Sequence, residues 1–131
     1  MNKIVISGYY GFANAGDEAM LTSIVRALRG VQPEIDLTVI SGNPAETSAK
    51  HKVKSIYRFN FFNIYNAVKN ADMLLSGGGS LLQDVTSSKS LHYYLSIIRC
   101  AEFFHKKVFI YSQGIGPIDR PGNRRAAAAA L

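Results

Sequence analysis

Apolar positions along the chain switch repeatedly between two periods. Lys3-Ile4-Val5-Ile6-Ser7 is a short β-branched run of the kind that forms a strand buried on both faces. A glycine-punctuated loop from Gly8 to Gly16 follows. From Asp17 onward Met20, Leu21, Ile24, Val25 and Leu28 recur at helical spacing until Gly30 and Pro33 stop the pattern. Leu37-Thr38-Val39-Ile40 predicts a second strand, ended by the turn cluster Ser41-Gly42-Asn43-Pro44. The stretch from Ala45 to Lys54 is polar and shows no clear period, and Val53 to Arg58 is a candidate for a short third strand. Phe61, Ile64, Tyr65 and Val68 mark an amphipathic helix closed by Asn70-Ala71-Asp72. Met73-Leu74-Leu75-Ser76 reads as a fourth strand running into Gly77-Gly78-Gly79-Ser80. After a polar loop, Leu91, Leu95, Ile98 and Cys100-Ala101 fit a helix to about His105. Lys107 to Ser112 is a fifth strand, ending in Gln113-Gly114-Ile115-Gly116-Pro117.

Strands that alternate with helices imply a parallel sheet, because parallel neighbours need a crossover connection. Right-handed crossovers then place helices on both faces. The expected fold is a doubly wound, Rossmann-like α/β domain over residues 1–131, with no internal repeat and no linker. With its last strand near residue 112 and an alanine run after Arg124-Arg125, it reads as one half of something larger.

Composition narrows the partners. Hydrophobic residues make up 47% and charged residues 18% of the 131, a globular balance. No stretch approaches the ~20 apolar residues of a membrane-spanning helix, and the N-terminus enters a strand pattern without the layout of a secretion signal. The reading is a soluble, cytoplasmic protein. A single cysteine, Cys100, cannot form an internal disulfide, and its apolar helical setting suits a small buried hydrophobe. The net charge of +6 would suit nucleic acid, an anionic membrane or phosphorylated small molecules. Most basic residues are scattered, with one tighter group at Arg120, Arg124 and Arg125. No nucleic-acid recognition motif is present, so nucleic acid is not expected as a partner.

Chemistry concentrates at three glycine turns, after Ser7, Ser76 and Ser112. In an open parallel sheet these turns share the carboxyl edge, where ligands bind. Glycine lets a ligand approach the backbone, and the helix that follows offers free N–H groups to phosphate or carboxylate. Gly8-Tyr9-Tyr10-Gly11-Phe12 lacks the G-x-G-x-x-G spacing, and no acidic residue closes the second strand, so a nicotinamide or flavin cofactor is not expected. No cofactor is read, and dispersed histidines exclude a structural zinc. Asn14 or Asp17 could cap the first helix, while Asp17 could equally be a base at the ligand edge. Gly16 belongs to the same loop, and Glu18 reads as a first-turn partner of the helix dipole. Gly77, Gly78 and Gly79 make a bare backbone surface, beside which Ser80, Gln83 and Asp84 could hydrogen-bond a substrate. His92, Gln113 and Gly114 complete the candidate contacts, and with Gly11 they form the expected substrate site.

Three segments together carry a resemblance: Gly8-Tyr9-Tyr10-Gly11-Phe12 through Asn14-Ala15-Gly16-Asp17-Glu18-Ala19, Gly77 through Asp84, and Ser112-Gln113-Gly114-Ile115-Gly116-Pro117. In order and spacing they resemble the polysaccharide pyruvyl transferase family. They look closest to the bacterial branch that modifies secondary cell-wall polysaccharide for surface-layer anchoring, a likeness strengthened by Thr86-Ser87-Ser88 and His92-Tyr93-Tyr94. The resemblance implies the N-terminal half of a two-domain, B-type glycosyltransferase-like enzyme. It implies phosphoenolpyruvate as co-substrate and a lipid-linked saccharide, with N-acetylmannosamine as acceptor sugar, as second substrate. It also implies a C-terminal domain of the same enzyme as partner, and a peripheral contact with the inner membrane face. Asp17 and the glycine segments are the residues it places nearest the chemistry; the groups that grip phosphoenolpyruvate belong largely to the other half, so this half alone should be inactive. A nucleotide-sugar glycosyltransferase and a non-catalytic docking domain built on the Arg120 group are the alternatives.

Overall fold

Five short strands and four helices alternate along the residues that the computed structural model describes, namely 3–8, 10–11, 15–76 and 88–110. They run β1 (Lys3–Ser7), α1 (Ala15–Val31), β2 (Asp36–Ser41), α2 (Pro44–His51), β3 (Lys54–Tyr57), α3 (Phe61–Asn70), β4 (Met73–Ser76), α4 (Ser88–Phe103) and β5 (Lys107–Ile110). The sheet order is β3-β2-β1-β4-β5, and every neighbouring pair is parallel. This is the doubly wound, Rossmann-like arrangement.

Side-chain alternation along the strands builds two cores. Ile4 and Ile6 of β1, Leu37 and Val39 of β2 and Leu75 of β4 pack under Leu21, Ile24 and Val25 of α1. Val5, Ile40 and Leu74 point the other way, into Ile64 and Val68 of α3 and Leu95, Ile98 and Ala101 of α4. Each fully buried aliphatic side chain of this kind contributes roughly 1.5–3 kcal/mol relative to exposure. Successive strand residues thus serve opposite faces, which is why these strands read as unbroken apolar runs.

The polar stretch after Asn43 is not irregular but helical. Asn43 caps α2 by accepting from the Glu46 amide at 3.3 Å, and its Nδ2 donates to Glu46 Oε2 at 3.1 Å. Pro44 occupies the first turn, where its missing N–H costs nothing. Lys52, at φ 54° in the left-handed region, ends the helix. Arg29, in the last turn of α1, donates to the His51 and Lys52 carbonyls, so α1 holds the end of α2. This eight-residue helix buries only Thr47 and His51, which explains its missing apolar stripe.

On the opposite face, the Tyr93 hydroxyl donates to the Arg58 carbonyl and fastens the β3–α3 turn to α4. The Arg58 guanidinium lies 4.6 Å from the Phe59 ring centroid and 5.2 Å from that of Tyr93. Cys100 packs, partly buried, against the α3–α4 core, and burial pushes its thiol up. Among the described residues no helix is long and apolar enough to cross a membrane.

Gly30, near the end of α1, has open space where a side chain would stand. Helical glycine costs roughly 0.5–1 kcal/mol relative to alanine. Gly30→Ala should therefore raise the melting midpoint by a few degrees, read by thermal denaturation, with no loss of folded yield.

Candidate functional site

The strand order places a topological switch between β1 and β4. β1 continues to α1 on one face and β4 leads to α4 on the other, so the two connections part at the carboxyl edge. Crevices of this kind are where open α/β sheets bind ligands. Three strands arrive at the edge with a buried serine: Ser7, Ser41 and Ser76 are each 1% exposed. Ser7 and Ser76 stand side by side in register. Ser41 Oγ lies 2.7 Å from Thr47 Oγ1 and accepts from the Asn43 amide at 2.9 Å.

The first turn of α1 brings two carboxylates to this edge. Asp17 is 9% exposed and Glu18 8%. Both lie where the helix presents unpaired N–H groups and the positive end of its dipole. Glu18 is a hub. Its Oε2 accepts from the Gly11 amide at 3.1 Å, while Oε1 stands 3.3 Å from His51 Nε2 and 3.8 Å from Lys50 Nζ. Lys50 is half exposed, so its ion pair adds little, whereas the part-buried Gly11 contact and the buried His51 contact join Gly11, α1 and α2.

Tyr10 is fully buried beside these carboxylates. Burial, and after it the negative charges of Asp17 and Glu18, push its phenol far above the ordinary tyrosine value. The ring therefore stays neutral and keeps its proton. Around the corner, Tyr94 of α4 donates to the Gly8 carbonyl at 3.4 Å, closing the α4 side of the crevice over the end of β1. A groove of about 400 Å³ runs between α1 and α2, lined by Glu18, Thr22, Glu46 and Lys50.

A family model of polysaccharide pyruvyl transferase matches residues 14–131. The chain belongs to the polysaccharide pyruvyl transferase family. No curated protein matches it. Among solved structures it is similar to a short-chain dehydrogenase/reductase of the wide type from Veillonella parvula, in complex with NADP. That likeness has 16% identity and a TM-score of 0.48, covering 83% of this chain and 46% of the other. The chain thus spans about half the length of that protein. The Rossmann-like fold rests on the strand order described above, not on this likeness.

Measured against this geometry, the residues expected of a pyruvyl transferase divide into three groups. Asp17 is buried in the first turn of α1, at the carboxyl edge of the sheet, and Gly16 beside it is exposed. His92 is exposed on α4, one residue before Tyr93. Asn14, Gly77, Gly78, Gly79, Ser80, Gln83, Asp84, Gln113 and Gly114 lie outside the described residues, as do Arg120, Arg124 and Arg125.

Gly11 has a packing role of its own. It sits at φ +83°, and a side chain there would meet Ser41 Oγ at 2.3 Å, the Asn43 nitrogen at 2.5 Å and the Gly42 nitrogen at 2.8 Å. Its amide is already given to Glu18. The packing of Tyr10 and Gly11 against the β2–α2 turn is by itself a reason for glycine at position 11. Glu18 ties three elements together besides facing the helix dipole. Sequence reasoning passed over Ser7, Ser76, Tyr10 and His51. The one signal for the serines was positional: both occupy the last place of an apolar strand, just before a glycine.

Proposed function

We propose that this domain forms the acceptor-side wall of a pyruvyl transferase that moves the enolpyruvyl unit of phosphoenolpyruvate onto a saccharide as a cyclic ketal. The acceptor is read as N-acetylmannosamine of a lipid-linked cell-wall precursor, handled at the inner face of the membrane. Membership of the family carries the reaction class. The observation that carries the residue assignment is the buried Asp17 carboxylate at the switch-point edge.

In this reading Asp17 takes the proton of one sugar hydroxyl as its oxygen attacks C2 of the enolpyruvyl group. A proton reaches the methylene carbon, which becomes the methyl group. The C2–O bond to phosphate breaks, and a second sugar hydroxyl closes the ring at C2. One phosphoenolpyruvate and one diol thus give one ketal and one inorganic phosphate, with no oxidation or reduction. Cationic groups outside this domain stabilise the departing phosphate. Glu18 positions the loop and does not touch the substrates.

The test is Asp17→Ala in the intact enzyme, assayed for ketal formation from phosphoenolpyruvate. Loss of a general base lowers the rate by about 10²–10⁴-fold. An unchanged rate with an intact fold would remove Asp17 from the chemistry. Thermal stabilisation by UDP-sugars and not by phosphoenolpyruvate would turn the assignment to glycosyl transfer.

A further inference from the structure

Buried hydroxyls normally find a hydrogen-bond partner. Ser7 Oγ, Ser76 Oγ and Tyr10 Oη have none among the described residues, although Ser7 and Ser76 are 1% exposed and Tyr10 is 0% exposed. The two serines end β1 and β4 where those strands part. Strand alternation gives the serines a common direction: Val5 and Leu74 face the α3–α4 core, and Ser7 and Ser76, two residues further along, face the same side. The register sets the two hydroxyls next to each other, one layer nearer the rim. Tyr94, reaching from α4 to the Gly8 carbonyl, bounds the same spot.

From this juxtaposition we infer that Ser7 and Ser76 form the floor of a subsite for the hydroxyl groups of the acceptor saccharide. The inference rests on the pyruvyl-transfer reading for the name of the acceptor, but not for the existence of the subsite. Each serine hydroxyl can donate one hydrogen bond and accept others, and a sugar hydroxyl matches that pattern. A phosphate would not fit as well. It can only accept or carry charge, and the Asp17 and Glu18 carboxylates that act on Tyr10 at this same edge would repel it.

The distinguishing property is what removing the hydroxyls does to the empty protein. A serine hydroxyl bonded within the fold is missed when it is deleted, whereas an unpartnered one is not. Ser7→Ala, Ser76→Ala and the double variant are made in the intact enzyme, and three quantities are read. The melting midpoint without ligand should stay the same or rise. The KM for the saccharide acceptor should increase roughly three- to tenfold per hydroxyl, while the KM for phosphoenolpyruvate stays unchanged. Calorimetric titration with N-acetylmannosamine should show binding to wild type and a matching loss in the double variant.

A fall in the unliganded midpoint would make the serines structural and overturn the subsite. So would an unchanged acceptor KM, or a rise confined to phosphoenolpyruvate. Sugar binding that depends on the two hydroxyls, in a wild-type enzyme that forms no ketal, would support the subsite and sink the pyruvyl-transfer reading instead. Ketal formation unaffected by the double variant would do the reverse.

Discussion

Gly11→Ala is expected to cost roughly 2–5 kcal/mol and to leave little folded protein at physiological temperature. Two terms combine. The left-handed conformation at φ +83° costs a residue with a Cβ about 1–2 kcal/mol. The new methyl would also stand 2.3 Å from Ser41 Oγ, 2.5 Å from the Asn43 nitrogen and 2.8 Å from the Gly42 nitrogen. Two of those three neighbours are backbone and cannot swing aside, and overpacking of this kind typically adds about 1–3 kcal/mol. The loop would have to lift, breaking the Gly42 amide bond to the Tyr10 carbonyl at 2.9 Å and the Gly11 amide bond to Glu18. Chemical denaturation of the variant is the measurement. A loss under about 0.5 kcal/mol would mean that the loop does not pack against the β2–α2 turn as described.

Glu18→Ala should be the next most damaging change, at roughly 2–4 kcal/mol. It strips the acceptor from a part-buried backbone N–H and removes the group facing the buried His51 ring, 4% exposed in its side chain. Hydrogen bonds to charged groups contribute about 1.5–3 kcal/mol, and an orphaned buried donor adds its desolvation cost. For a chain of this size each kcal/mol moves the melting midpoint by roughly 4 °C. Glu18→Gln separates the causes. The amide oxygen can still accept from Gly11, so the glutamine variant should retain most of the stability lost in the alanine variant. Equal losses in both would assign the effect to charge. Neither substitution removes Asp17, so a stable Glu18→Gln enzyme should keep its chemical step.

The two predictions share one cause. Within the loop after β1, Tyr10 and Gly11 are held by the β2–α2 turn and by Glu18, the neighbour of Asp17 in the first turn of α1. A ligand at the rim would be met by a preorganised backbone, not by one that must be ordered on binding.

What was legible beforehand is the periodic part. β1 and β4 occupy the segments their apolar runs marked, and α1 and α3 follow their i, i+3, i+4 spacing within two residues at each end. α2 was missed although its start was written in Asn43-Pro44-Ala45-Glu46, a cap, a first-turn proline and a reciprocal glutamate. The signal lay in capping chemistry, while attention to an apolar stripe looked for something a helix burying only Thr47 and His51 does not have. The packing role of Gly11 was hidden for a different reason. A positive φ beside a ligand and a positive φ beside a packed turn require the same residue.

By itself, the sequence determined the alternation of strands and helices, the parallel sheet, the family and the arrival of Asp17 at the carboxyl edge. Apart from the family, which rests on three separated motifs taken together, these follow from residues near one another in the chain, where periodicity and handedness act directly. Only the tertiary structure decided that Glu18 meets His51 across 33 positions, that Gly11 is filled by the β2–α2 turn, and that Ser7 lies level with Ser76. Those facts depend on which strand sits beside which, and a strand order is set by the burial of both faces of the whole sheet, not by any stretch of chain within it.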